Sequence, residues 1–239
     1  MDRKTNQVDA DTYAVENVSD AENRGYRVQL PGIKVYDRAV ENCSARDESV
    51  FILAGGKSTR MGTDKAFVEY QGRTLLARAL DLARSVASGV WIVGGKERFA
   101  GFAPVVEDVF RDCGPLGGIH AALLGSLTEL NLMLAVDMPF ISSTFLEYLF
   151  AQARGAPRAA VIVPRADGRR QPLCAVYRRE FAVVAERALQ ARQNRIDRLF
   201  DEVRTRVIEQ EELEGAGFSS TIFRNLNTPE ELEAEKQRA

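Results

Sequence analysis

From Ser49 onward the chain alternates short, uninterrupted apolar runs with amphipathic stretches of helical period. The order is VFILAG, a helix over roughly 73 to 87, GVWIVGG, APVVED, a helix through GIHAALLGSL, LNLMLAVD, and a helix beginning near Ser142. A run that is apolar at every position suits a strand covered on both faces, as strands in parallel sheets are. Strand-helix alternation of this kind predicts an α/β fold with a Rossmann-like, doubly wound, mostly parallel sheet. Such sheets bind ligands beyond the carboxyl ends of their strands, and the glycines after VFILAG stand at one of those ends.

The remaining third is less regular. It offers an apolar run AAVIVP, a basic turn DGRRQ, a strand PLCAVY, helices near 179 to 191 and 194 to 200, and a strand near 203 to 209. EQEELEGAG reads as a solvated acidic turn. In IFRNLNTPEELEAEKQ, Thr228 is placed to cap a helix, with Pro229 at its first position and Glu230 and Glu231 in its first turn. Residues 1–48 are polar and form an N-terminal extension, partly disordered, in which YRVQLPGIKVYD at 26–37 alternates as a short hairpin would. The expected organisation is therefore one domain over 49–239 preceded by that extension.

Composition narrows the function. With 239 residues and a formal net charge of -2, there is no basic field to attract nucleic acid, so an anionic ligand must be caught by a local cluster. No window approaches the roughly 18 consecutive apolar residues of a membrane span. Cys43, Cys113 and Cys174 lie far apart without CxxC spacing, which argues against zinc and for a reducing, cytoplasmic location. A single histidine, His120, excludes His-pair metal chemistry and reads as structural.

The local cluster is LAGGKSTRMGTDK, Leu53 to Lys65. Its GKS is not a P-loop, because the opening glycine of G-x-x-x-x-G-K-[ST] would fall on Phe51. The ingredients of a phosphate site remain. Gly55 and Gly56 let a nucleotide approach the backbone, and Arg60 and Lys65 supply charge suited to a triphosphate, with Lys57 readable as a solvated loop residue. Asp137 in MLAVDMPF ends a strand facing the same crevice and reads either as a magnesium ligand or as a turn residue. Asp108 in PVVED reads either as an acceptor for a sugar or base or as an ordinary strand-end carboxylate. Cys113-Gly114-Pro115-Leu116-Gly117-Gly118 is a second glycine-rich turn opening a helix.

Taken together, these residues resemble the molybdenum cofactor guanylyltransferases, the MobA-like nucleotidyltransferases. L-A-G-G-x-S-x-R-M-G-x-D-K is Leu53 to Lys65, D-x(5)-G-P-L-G-G is Asp108 to Gly118, D-x-P is Asp137 to Pro139, and N-x-N-T-P-E-E-L is Asn225 to Leu232. The resemblance implies a nucleotide-diphospho-sugar transferase-like fold and transfer of GMP from GTP to the phosphate of molybdopterin, with release of pyrophosphate. It assigns Leu53, Ala54 and Gly55 to the nucleotide, Lys65 to its phosphates, Arg60 to the leaving pyrophosphate, Asp108 to the nucleoside and Asp137 to Mg2+. Asn225 or Asn227 would serve the metal or pterin end, and Arg169, Arg170 and Gln171 the entry of a second anionic substrate. Implied partners beyond the substrates are cofactor-assembly proteins and apo-molybdoenzymes, with the chain a monomer or weak oligomer.

The alternatives within reach are a cytidylyl- or sugar-phosphate nucleotidyltransferase of the same superfamily, and a non-catalytic nucleotide-binding assembly protein. L-A-G-G, where many relatives read L-A-A-G, favours guanine by clearing space near the base. Lys65 and Asp137 occurring together favour catalysis over binding alone. Where some members carry an Asn after the second strand this chain has Val93-Gly94-Gly95, so nucleoside contacts there fall to backbone.

Overall fold

The structure, a computed structural model, describes residues 48–55 and 64–226. Residues 1–47 of the expected extension with its hairpin, residues 56–63 with Gly56 and Arg60, and Asn227 with the closing helix lie outside the described residues, while Glu48, the extension's expected last residue, begins the first strand. Strand β1 (Glu48–Leu53) is followed by a 3-10 turn (Lys65–Phe67), a small hairpin of β2 (Glu69–Tyr70) and β3 (Arg73–Thr74), and α1 (Leu75–Val86). Next come β4 (Gly89–Val93), the single turn α2 (Lys96–Phe99), β5 (Val105–Val106), α3 (Pro115–Gly125), β6 (Leu130–Ala135) and α4 (Ser143–Gly155). The chain continues through β7 (Val161–Ala166), β8 (Arg169–Arg170), β9 (Cys174–Arg178), α5 (Phe181–Gln190), α6 (Ile196–Leu199), β10 (Thr205–Ile208), α7 (Gln210–Gly215) and a last 3-10 turn (Ser220–Phe223).

Eight strands form one sheet in the order β10-β7-β9-β6-β1-β4-β5, with β8 added to β7. β1 lies parallel between β4 and β6, and β9 alone among the long strands runs antiparallel to both its neighbours. The alternation within β1 explains its unbroken apolar run. Val50 and Ile52 pack on one face with Leu132, Leu134 and the helices α1 and α4, while Phe51 packs on the other with Met133, Tyr177 and the helices α3 and α5. Thr74 caps α1 by accepting from the Ala77 amide, and Ser142 caps α4 by accepting from Phe145. The reversal from β7 to β8 is a two-residue Asp167-Gly168 turn in which both residues have positive φ, the geometry that D-G favours in hairpins.

One expectation is corrected. EQEELEGAG is not a solvated turn: it contains α7, whose capping box joins Glu209 and Glu212. Leu213 is buried and supplies the apolar anchor that the surrounding acids mask in the sequence, while Glu212 pairs with Arg206 at 3.0 Å. Acids in a helix's first turn also face the positive end of its dipole. No helix among the described residues is long and apolar enough to cross a membrane.

Candidate functional site

Register places the site. Leu53 lies opposite Val93 on one side and Ala135 on the other, so the residues after all three strands emerge side by side at the carboxyl edge. The ladder runs on past the strands: Ala54 N–H donates to Val93 O at 3.0 Å, Gly94 N–H to Val106 O at 3.0 Å, and Val136 N–H to Leu53 O at 3.2 Å. Gly55, Gly94, Asp108 and Asp137 thereby share one rim. This is the edge at which open α/β sheets hold their ligands.

At the β6 end of the rim, Asp137 meets a side chain that is 72 residues earlier in sequence. Lys65 Nζ donates to Asp137 Oδ2 at 3.1 Å, with the two side chains 25% and 17% exposed. Both are shielded enough for charge to matter and open enough for a substrate to enter. Lys65 is delivered by the 3-10 turn, which Asp64 starts by accepting from Ala66 N–H at 3.2 Å. Leu226 N–H donates to Asp137 O at 3.1 Å, which fastens the segment carrying Asn225 to the same end, with Asn225 exposed.

At the β1–β4 end, Asp108 sits against the start of α3. Gly114 takes φ 65 ahead of Pro115 at the first helical position, a backbone conformation that strongly favours glycine. A Cβ on Gly117 would stand 2.8 Å from Phe110 O, and one on Gly118 would stand 3.1 Å from Val93 Cγ1 and 3.5 Å from Asp108 Oδ1. The GPLGG turn therefore exists to let α3 close onto the strand ends and the Asp108 carboxylate. Oδ1 of Asp108 is buried without a hydrogen-bond partner, and burial raises its pKa above the ordinary carboxylate value. An orphaned acceptor of this kind fits an N–H or O–H donor from a nucleoside.

The sign of that shift makes a prediction. A raised folded-state pKa means that Asp108 costs stability as pH rises from its unfolded value through its folded one, the cost being complete above the folded-state pKa. Asp108→Asn should raise the melting temperature at pH 7 while weakening nucleotide binding at least tenfold. Wild-type nucleotide affinity should fall on acidification through the raised pKa, and titration calorimetry across pH should find that acid limb missing in Asp108→Asn.

Asp137 fits a divalent cation of the kind that takes one or two protein carboxylates and completes its shell with water and phosphate oxygens. Among the described residues there is no group of three or more His, Cys, Asp or Glu that would hold a metal by protein ligands alone. In the Arg169-Arg170-Gln171 triplet, Arg169 is exposed and the other two residues are engaged within the chain. Arg170 donates to Asp197 O at 3.1 Å and to Asp201 Oδ1 at 3.2 Å and lies over the Phe200 ring, while Gln171 N–H closes a turn on Pro164 O. His120 is buried edge-on against Phe110, with both ring nitrogens unpartnered and burial lowering its pKa, which suits a neutral packing residue.

Three pieces of the rim lay beyond sequence reasoning: the Leu226 tie to Asp137, the bond from Lys96 N–H to Glu107 Oε1 at 3.0 Å, and an ion pair between Arg98 and Asp64. Asp64 had a signal, being a capping residue directly before Lys65. Leu226 and Asp137 are joined from far apart in sequence, and Lys96 meets Glu107 only once β5 has paired with β4.

The family described as the MobA-like NTP transferase domain matches residues 50–210. A probable molybdenum cofactor guanylyltransferase from Pelotomaculum thermopropionicum is 36% identical over 184 residues, covering 76% of this chain and 88% of that protein. The molybdenum cofactor guanylyltransferase of Desulfosudis oleivorans is 34% identical over 185 residues, covering 76% and 91%. Among solved structures, molybdopterin-guanine dinucleotide biosynthesis protein A from Archaeoglobus fulgidus superimposes with a TM-score of 0.70 at 26% identity, covering 80% of this chain and 97% of that one. CMP:2-keto-3-deoxy-manno-octonic acid synthetase, complexed with CTP, superimposes at 0.62 with 14% identity over 80% and 97% of the two chains, a likeness of fold alone.

Proposed function

This chain belongs to the MobA-like NTP transferase family, and we propose that it transfers GMP from GTP to the terminal phosphate of molybdopterin, releasing pyrophosphate. The observation that carries the reading is the Lys65–Asp137 pair, 3.1 Å apart on the rim that also presents Gly55 and Asp108. One charge of each sign at the phosphate end and an unpartnered acceptor at the nucleoside end match a nucleoside triphosphate in polarity. The relatives' names supply guanine and the pterin acceptor.

In this reading the nucleotide lies across Leu53, Ala54 and Gly55, with its nucleoside toward Asp108 and its phosphates toward Lys65. A Cβ on Gly55 would make only ordinary contacts, with Val93 O at 3.7 Å and Gly94 Cα at 3.8 Å, so the fold does not itself demand glycine there, and in this reading the missing side chain serves the nucleotide's approach to the backbone. The attacking group is a phosphate monoester, already anionic, so the chain needs to align it and neutralise charge more than to remove a proton. Lys65, with Arg60 of the same sequence motif, takes up charge that develops on the departing pyrophosphate. Asp137 would hold Mg2+, which when bound draws electron density from the phosphate oxygens. The transferase unit is assigned to residues 49–239, with residues 1–48 as an extension.

Calorimetric titration with GTP, CTP, ATP and UTP, each with and without magnesium, tests the nucleobase. Magnesium-dependent preference for GTP, followed by pyrophosphate release on adding molybdopterin, is the expected result. Preference for CTP would move the chain to cytidylyl transfer, and binding of none of the four would remove the reading.

A further inference from the structure

The segment after β4 binds the two ends of the rim together, although none of its side chains lies on the nucleotide's path as described above. Its single turn, α2, begins directly after Gly94 and Gly95. Arg98 ion-pairs with Asp64, the residue that caps the Lys65 turn, with side-chain exposures of 42% and 22%. Asp64 holds that turn twice over, accepting from Ala66 N–H through its side chain at 3.2 Å and from Phe67 N–H through its carbonyl at 3.0 Å. Phe67, the last residue of the turn, stacks on the fully buried Phe99 of α2 at 5.9 Å between centroids and leans on Phe102 at 5.7 Å. The guanidinium of Arg98 lies 5.0 Å from the Phe99 ring, so the ion pair and the aromatic stack reinforce one placement.

α2 is itself anchored. Phe99 lies so close to the β4 end that a Cβ on Gly94 would come within 2.8 Å of its Cε2. Lys96 N–H donates to Glu107, the neighbour of Asp108. The turn carrying Lys65 packs into the core through the fully buried Ala66, and its outer side is held by a brace rooted in the sheet rim.

We propose that Arg98 is a positioning residue for nucleotidyl transfer: through Asp64 it fixes the turn that sets Lys65 against Asp137. A lysine on a short turn has many rotamers and backbone states to explore, and a displacement of about 1 Å from productive geometry costs on the order of a hundredfold in rate. Arg98 acts on Lys65 at the step where charge develops, so its removal reaches kcat before nucleotide affinity. The inference rests on the transfer reading for its kinetic arm and on geometry alone for its structural arm.

The experiment compares wild type, Arg98→Ala, Arg98→Lys, Asp64→Asn and the Arg98→Ala/Asp64→Asn double variant. We expect Arg98→Ala to lower kcat at least tenfold with KM for the nucleotide changed less than threefold and melting temperature nearly unchanged, since Arg98 is substantially exposed. Arg98→Lys, which restores the charge, should recover most of the rate. The double variant should be no slower than the worse single one, because both substitutions break the same link. Hydrogen exchange at the Ala66, Phe67 and Val68 amides should quicken in Arg98→Ala, a readout that needs no turnover and separates failure of the brace from failure of the transfer reading. A kcat within twofold of wild type, additive losses in the double variant, or unchanged exchange at these amides would overturn the proposal.

Discussion

Asp137→Ala should abolish nucleotidyl transfer, to below about one part in a thousand of wild type, and leave a folded protein. The loss has two sources. The carboxylate is the rim's candidate for holding a divalent cation at the phosphates, and such charge stabilisation is worth several kcal/mol, roughly a thousandfold or more in rate. Its removal also strips Lys65 of the acceptor that fixes its ammonium at 3.1 Å. Stability should hardly move, because a partly exposed ion pair contributes about 0–1 kcal/mol, and the backbone tie from Leu226 uses the Asp137 carbonyl rather than its side chain. The check is turnover together with magnesium-dependent calorimetry. Unchanged activity would remove Asp137 from the metal site, and loss of the magnesium effect with retained nucleotide binding would confirm it there.

Lys65→Ala ranks second, with an expected loss of about 3 kcal/mol of transition-state stabilisation, more than a hundredfold in kcat/KM. The ammonium is a compact charge placed beside Asp137, where developing negative charge on the pyrophosphate would meet it. The turn should survive the change, since Asp64 and Phe67 hold it through atoms that Lys65 does not supply. Lys65→Arg tests geometry rather than charge: a planar, longer head should not sit where the ammonium does, and steady-state kinetics should show partial activity at most. A loss below tenfold in Lys65→Ala would make the residue peripheral to the chemistry.

The parts of this architecture that can be read from sequence are those whose cause is local or periodic. VFILAG is apolar throughout, and LNLMLAVD is apolar but for the buried Asn131 and the closing Asp137, because β1 and β6 are covered on both faces, and that pattern needs no partner to be recognised. GPLGG carries its reason in its composition, with a positive φ at Gly114 and close approach at Gly117. The direction of β9 was not legible. PLCAVY reads equally well either way, and its antiparallel course follows from the tight Asp167-Gly168 reversal and the short β8 that precede it. α7 was hidden because a count of acids overwhelms the single buried leucine that anchors it.

The site divides along the same line. Glycines and charges at strand ends were legible as candidates, and the family motifs assigned them roles. That Lys65 would reach Asp137 depends on the register setting Leu53 opposite Ala135, a long-range pairing that neither segment encodes alone. Arg98 and Asp64 meet only because α2 folds back over the Lys65 turn, and an arginine in the short turn KERF carries no mark that distinguishes it from a solvated one.

The hydrogen bond from Leu226 to Asp137 has a consequence in time as well as space. A polypeptide emerges from the ribosome amino end first, and its domains begin to fold as they emerge. Leu53, Lys65, Asp108 and Asp137 are all outside before Leu226 has been added, so the nascent chain can assemble its sheet while the rim at Asp137 is still open. A message truncated ahead of that codon should yield a product with its central strands in place and Asp137 without this backbone tie.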